Sequence, residues 1–256
     1  MIGRLLAFLQ ERLRAVDAAQ VSHLVWVATN AERTRRGLHP VSRHELLDRV
    51  AASHSVDMAV RGYFDHRDPE GREVADRIAG SCRELAIRGA GENIAYVSTR
   101  GKTRALADFI VEVWMESTGH RGNILQQNWT HIGIGLYQKG TYVYATQVFA
   151  TVVAELVGSA PIRVPVGSCE SFRFRIYELR SELEELAVIV RVPNERLRFE
   201  HGGGDYSYGW YMLQPYWERD LLVVPFAAQH GPGSYQICVG SRRTGRFIPL
   251  LRINSV

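Results

Sequence analysis

Three side chains in the first half of this 256-residue chain, His54, Glu92 and His120, could meet to do chemistry. Two imidazoles and a carboxylate are enough ligands for Zn²⁺ with one coordination position left for water. They come from three separate segments with no short spacing motif, so a hydrogen-bonded cluster is the other reading: burial makes an unpaired His or Glu costly, and Glu92, in a Gly-flanked turn, would serve best as an imidazole's partner. His54 lies on an apolar helix stripe, where a histidine is more often a satisfied core residue than a ligand. Ser117 and His120 are three apart, and with Glu92 to orient the imidazole they hold the parts of a serine nucleophile site. Against that reading, Ser117 continues a regular helix face, with no strained turn to expose its hydroxyl and no oxyanion donors nearby.

Several elements must position these groups. Apolar spacing predicts a short amphipathic helix over residues 3–17, a second helix from Val21 to Arg36 stopped by Gly37, and a third opened by the capping box of Ser42 and Glu45. That third helix presents Leu47, Val50, Ala51, His54 and Met58 on one stripe, so His54 faces inward. Asp65 to Gly71 and Gly89 to Asn93 read as turns. Between Leu106 and Ser117 the spacing puts Phe109, Ile110, Val113 and Trp114 on a buried face and leaves Glu116 in solvent. A loop with Gly119, Gly122 and Asn123 follows, then a hairpin of 131–138 and 142–150 around Lys139-Gly140. Beyond the breaker-rich stretch of Gly158, Pro161, Pro165 and Gly167, short β runs cover 172–177, 186–192, 208–213, 221–226, 235–239 and 247–253. Six strands after a helical half imply a separate antiparallel, Ig-like β-sandwich, with Tyr235 either a tyrosine corner or a plain core aromatic. The expected division is an N-terminal helix (1–19), a first domain (20–155), a linker (156–167) and a β-sandwich (168–256), an α+β chain overall.

Composition narrows the function. The 31 basic and 27 acidic residues give a formal charge of +4 spread over both halves, and the densest basic run, Arg33, Arg35 and Arg36, is short. Nucleic-acid binders concentrate such charge, so none is expected as a partner. Cys82, Cys169 and Cys238 are too few and scattered for a disulfide framework or a Cys-based zinc site. No apolar run is long enough to span a bilayer, and Leu5 to Leu9 is too short for the core of a signal peptide.

Four fragments in series carry a resemblance: Ala52-Ser53-His54-Ser55-Val56-Asp57 with Gly62-Tyr63-Phe64-Asp65-His66; Gly91-Glu92-Asn93-Ile94-Ala95; Trp114 to Leu125; and Ile132-Gly133-Ile134-Gly135 with Tyr144-Ala145-Thr146-Gln147. In this order and spacing the chain resembles, over about residues 20–150, the CAP superfamily of cysteine-rich secretory, venom-allergen and pathogenesis-related proteins, and within it the bacterial SCP-like branch. The resemblance implies an α-β-α sandwich with a central cleft lined in many members by two His and two Glu. One His falls on His54 and one Glu on Glu92. Ser117 stands at the second Glu position and Tyr144 at the second His position, so the full tetrad is absent, while the bacterial branch shares the Gly-His-Arg loop of His120. Gln147 lines the cleft through the family's Thr-Gln pair. His66 is read as bracing its loop by a hydrogen bond to backbone, and His131 carries less weight.

The favoured function is a non-enzymatic binding module, extracellular or periplasmic by the resemblance, whose cleft of His54, Glu92, His120, Ser117, Tyr144 and Gln147 takes a ligand or a divalent metal such as zinc. The β-sandwich would be an arm for a protein or cell-envelope partner. The alternatives are a protease-like hydrolase using Ser117, His120 and Glu92, or a structural subunit of an envelope assembly that uses the aromatic-rich segment Tyr206 to Trp217 as contact surface.

Overall fold

The computed structural model describes residues 16–98, 103–177 and 186–256. The expected helix over 3–17 lies outside the described residues, save for Val16 and Asp17. The chain divides into two compact units, one of residues 1–82 and 89–151, the other of 83–88 and 152–256. It is a mixed α+β protein.

In the first unit, helix α1 (Ala18–Thr34) begins where the Asp17 carboxylate accepts from the Gln20 amide at 3.0 Å. Strand β1 (Ser42–Arg43) pairs in parallel with strand β3 (His131–Lys139). Ser42 is therefore a strand residue, and the cap of helix α2 (Glu45–Arg61) falls to His44, whose Nδ1 accepts from the Leu46 amide at 3.2 Å. Gly62, at φ 75°, ends that helix in the left-handed region where a side chain would be strained. An eight-residue helix α3 (Val74–Ser81), without counterpart in the sequence reading, follows the turn. Gly89 to Asn93, expected as a turn, runs inside strand β2 (Leu85–Ser98). The reason is packing: a Cβ on Gly91 would stand 2.8 Å from the Trp129 ring, so the glycine admits an indole.

Helix α4 (Thr103–Glu116) buries Ile110 and Trp114 and leaves Glu116 in solvent. Phe109, expected in the core, is 47% exposed. The predicted loop after it is a second short helix, α5 (Thr118–Ile124), and Ser117 at its start has extended backbone (φ −79°, ψ 127°). Strand β3 pairs antiparallel with β4 (Tyr142–Val157) across Gly140, and β2 pairs with β4. Along β3, Ile132, Ile134 and Leu136 join Val21, Val25, Ile110 and Trp114 in one core. The glycines between them turn the other way, toward α2, so helices cover both faces of the sheet.

Those two glycines set the spacing of the layers. A Cβ on Gly133 would stand 2.1 Å from the Leu47 carbonyl carbon, and one on Gly135 2.0 Å from the Ala52 nitrogen. The helix backbone thus rests directly on the strand backbone, and Ser55 Oγ reaches the Gly135 carbonyl at 3.1 Å.

The second unit contains two sheets. One has the order β4-β6-β12-β11, with β6 Cys169–Ile176, β12 Leu221–Ala227 and β11 Tyr216–Glu218. The other has the order β10-β7-β13-β14-β5, with β10 Trp210–Leu213, β7 Leu186–Arg191, β13 Gly233–Ser241, β14 Phe247–Ser255 and β5 Arg163–Val164. A hairpin of β8 (Arg198–Gly202) and β9 (Asp205–Tyr208) completes it. Phe172, Phe174, Leu222 and Val224 of the first sheet share a core with Val188, Val190, Ile237 and Ile253 of the second. Tyr235 is fully buried, and its hydroxyl donates to the Gly231 carbonyl at 2.8 Å. Cys82 and Cys238 are buried and Cys169 is exposed.

The glycine contact makes a sharp prediction. Gly135→Ala should destabilise the protein by about 3 kcal/mol or more, because it overpacks backbone against backbone. Gly80→Ala, in α3 with nothing within 4 Å of the new methyl, should instead gain about 0.5 to 1 kcal/mol of helix propensity. Urea unfolding of both variants checks this, and equal effects would refute the direct contact.

Candidate functional site

The site is built around a buried carboxylate. Glu92, on β2, is 6% exposed. Its Oε2 accepts a hydrogen bond from Arg77 Nη2 of α3, and its Oε1 lies 2.9 Å from His66 Nδ1. His54 approaches from α2, with Nε2 3.8 Å from the same Oε1. The two partners of the carboxylate were not singled out from the sequence: Arg77 rides on a helix that went unread, and His66 was expected to bond backbone. His66 lies only twelve residues beyond His54, on the loop that returns from its helix, which was the one signal available.

The loop itself is held from below. The Asp68 carboxylate accepts from the Arg72 amide and Nε, both at 2.8 Å, and from the Glu70 amide at 3.1 Å. Arg77 Nη1 donates to the carbonyls of His66 and Arg72, each at 2.9 Å. Its cation therefore fixes both the loop backbone and the carboxylate that the loop histidine meets.

His54 is committed as well. A carbonyl only accepts, so the 3.1 Å contact between His54 Nε2 and the Asp65 oxygen places a proton on Nε2. Burial holds the His54 imidazole below its ordinary pKa, against the opposing pull of Glu92. The Tyr63 hydroxyl, 3.4 Å from His54 Nδ1, donates to Asp57 at 2.6 Å. Burial and that bond push Tyr63 upward.

His120 is partly buried, and its Nδ1 is enclosed without a hydrogen-bond partner among the described residues. Its ring centre lies 6.1 Å from that of His66. Burial, and then the neighbouring His66, lower its pKa. Two asparagines fix its backbone: Asn93 Nδ2 donates to the His120 carbonyl at 3.1 Å, and Asn123 Nδ2 to the Glu92 carbonyl and to Asn93 Oδ1, both at 2.9 Å. Arg121 braces the same turn through the Met115 carbonyl at 3.2 Å.

The remaining residues of the expected cleft divide. Gln147 is fully buried, taken up by Thr29 Oγ1 at 2.8 Å and Asn93 Nδ2 at 3.0 Å, so it ties β4 to α1 and β2. Tyr144 is half-buried and packs at a tilt of 52° against Tyr96, with ring centres 4.7 Å apart. Tyr96 in turn lies flat against Tyr142 (4.7 Å, 13°) and beside Phe64 (6.2 Å). Sequence reasoning missed this exposed aromatic rim. Ser117 is the residue before α5 and not part of a continuous helix, and no hydrogen bond joins it to His120 among the described residues. His131 is buried with its ring 5.5 Å from that of His44.

As placed, these donors do not fit a metal centre. Glu92 has both oxygens taken, one by a guanidinium whose charge opposes a cation, and His54 Nε2 carries a proton aimed at a carbonyl. No three His, Cys, Asp or Glu side chains converge as ligands among the described residues.

The pair of His66 and Glu92 ties stability to pH. The hydrogen bond to Glu92 raises the His66 pKa against a smaller effect of burial. The unfolded imidazole titrates at about 6.5, so the pair's stabilisation is fully present below that pH and is lost as pH rises through the higher folded value. Wild type should therefore exceed His66→Asn in urea stability most at acid pH, with the gap closing on the alkaline side. His54 acts in the opposite sense in both proteins and cancels from the difference. A gap that widens with pH would refute the assignment.

Residues 27–153 match the family model CAP, described as the cysteine-rich secretory protein family. Over 113 residues the chain is 39% identical to the uncharacterized protein YkwD of Bacillus subtilis, covering 44% of this chain and 41% of that one. Over 121 residues it is 34% identical to the uncharacterized membrane protein YlbC of the same organism, covering 47% and 32%. The chain thus spans less than half the length of either relative. Among solved structures, an extracellular protein containing an SCP domain from Bacillus anthracis is 29% identical, with a TM-score of 0.44, covering 52% of this chain and 41% of that one. Over residues 27–153 the chain belongs to the CAP, or cysteine-rich secretory protein, family.

Proposed function

We propose that the protein is a non-enzymatic binding module of the cell exterior or envelope. In this reading the first unit's cleft takes a small polar ring of the size and character of a sugar, and the second unit is an arm for a protein or envelope partner. The state of Glu92 carries the reading. Its two oxygens are committed to Arg77 and His66, and among the described residues no hydrogen bond joins Ser117 to an imidazole, so the cleft offers the half-exposed imidazole of His66 and aromatic faces in place of a nucleophile and base. His66 is half-exposed, and Phe64, Tyr96 and Tyr142 stand at the surface. A pyranose, apolar on its face and hydroxylated at its edge, suits flat phenol rings beside such donors.

Location outside the cytoplasm follows the family's description as secretory. No described helix is long and apolar enough to cross a membrane.

We read the arm, residues 83–88 and 152–256, as Ig-like. Its sheets β4-β6-β12-β11 and β10-β7-β13-β14 follow the A-B-E-D and C′-C-F-G strand orders of that architecture. Tyr235, at the start of the strand in the F position, bonds back to Gly231 as a tyrosine corner does. Tyr206, Tyr208, Tyr216 and Trp217 are exposed and would supply contact area to a partner.

Nuclear magnetic resonance with a panel of neutral and acidic oligosaccharides tests the cleft. Signals of Phe64, His66 and Tyr96 should shift saturably, and Tyr96→Ala should weaken binding by about tenfold, or 1.4 kcal/mol. Ser117→Ala should leave it unchanged. If no saccharide moves these signals, the reading fails. Turnover of peptide or ester substrates that requires Ser117 would put a hydrolase in its place. A Zn²⁺ isotherm abolished by His54→Ala/His120→Ala would put a metal centre there.

A further inference from the structure

The outer face of the second unit's β10-β7-β13-β14-β5 sheet departs from what its pattern requires. Along β7, Val188 and Val190 point into the core between the sheets, so Ile189 and Arg191 point away from it. The cross-strand register puts Met212 opposite Ile189 and Trp210 opposite Arg191 on that same outer face. A one-sided antiparallel sheet turns polar side chains outward. Here Ile189, Met212, Trp210 and Phe247 form an apolar floor, and Ile189 is only 3% exposed. The floor belongs to a cavity of about 600 Å³, within the range of sites for small organic ligands. Trp210 is held in place there, its ring stacked on His201 at 5.0 Å and its carbonyl bonded by the Ser207 hydroxyl.

The charge at the mouth selects the occupant. Arg191 and Arg242 both line the cavity, against one carboxylate, Glu195, and neither arginine forms an ion pair among the described residues. Two unpaired guanidiniums over an apolar, aromatic floor complement a molecule with a flat apolar body and a carboxylate, which a guanidinium can hold through two parallel hydrogen bonds.

We propose that this cavity is a second binding site, independent of the histidine cleft, for small aromatic carboxylates. The carboxylate meets Arg191 and Arg242 at the mouth, and the ring lies on the floor formed by Met212 and the adjoining rings of Trp210 and Phe247.

Calorimetry of the full chain with 2-naphthoate tests this, with 2-naphthylmethylamine as the cation of the same shape. Saturable 1:1 binding of the acid is expected, with the amine at least tenfold weaker. Arg191→Gln/Arg242→Gln should weaken the acid by tenfold or more, and because both arginines are exposed, circular dichroism should show the fold intact. Met212→Lys should remove binding by placing a charge on the floor, whereas Tyr96→Ala, in the first unit, should leave it unchanged. The proposal is overturned by no saturable heat, by equal affinity for acid and amine, by indifference to the arginine substitutions, or by loss of binding in Tyr96→Ala, which would put the probe in the cleft.

Discussion

A carboxylate that is nearly sealed from water must be neutralised where it stands, and in this protein that requirement organises the cleft. Glu92 draws Arg77 from a helix, His66 from a loop and His54 from a second helix toward one anion. Desolvating such a charge costs several kcal/mol unless its partners are well placed. The loop of residues 62–73 is therefore not free to drift: the same guanidinium that meets the carboxylate also holds the loop's carbonyls. The exposed side chains of that loop, Phe64 and His66, inherit their position from a buried ion pair.

The carboxylate can occupy that place because the layers beneath it approach so closely. Gly133 and Gly135 let the backbone of α2 rest on β3, which brings His54 down to Glu92 and lets Ser55 bond the strand. Gly91 does the same on β2 by admitting the Trp129 ring beside Glu92. Small residues thus act here as spacers between layers. The asparagines at 93 and 123 then transmit the position of β2 to the turn that holds His120.

Much of this was legible in the sequence, and the misses have physical causes. Helical periodicity located α1, α2 and α4, and the turn at Lys139-Gly140 located the hairpin, because these signals are local. The fragments shared with the CAP family placed His54, Glu92 and His120 in one unit. The same rules misread Gly89 to Asn93, since a glycine that makes room for a neighbouring ring has the same letter as one that makes a turn. Ser117 was misassigned because an apolar stripe does not reveal where one helix ends and the next begins. Arg77 escaped notice and His66 was given the wrong partner, because the role of each depends on a tertiary meeting with Glu92 that no spacing records. Gln147 was placed in the cleft by analogy, whereas the side chain is spent on Thr29 and Asn93 inside the core.

The account stands on the pairing of Arg77 with Glu92, and a double-mutant cycle measures it directly. Removing one member of a buried pair leaves an uncompensated charge, so Arg77→Met should cost about 3 to 5 kcal/mol in urea unfolding. Glu92→Gln should be strongly destabilising for the same reason. The double variant Arg77→Met/Glu92→Gln should be more stable than the sum of the single losses by more than about 1 kcal/mol, the coupling of groups in direct contact. Single losses that simply add in the double variant would contradict the account, because the cleft would then owe its shape to something other than this ion pair.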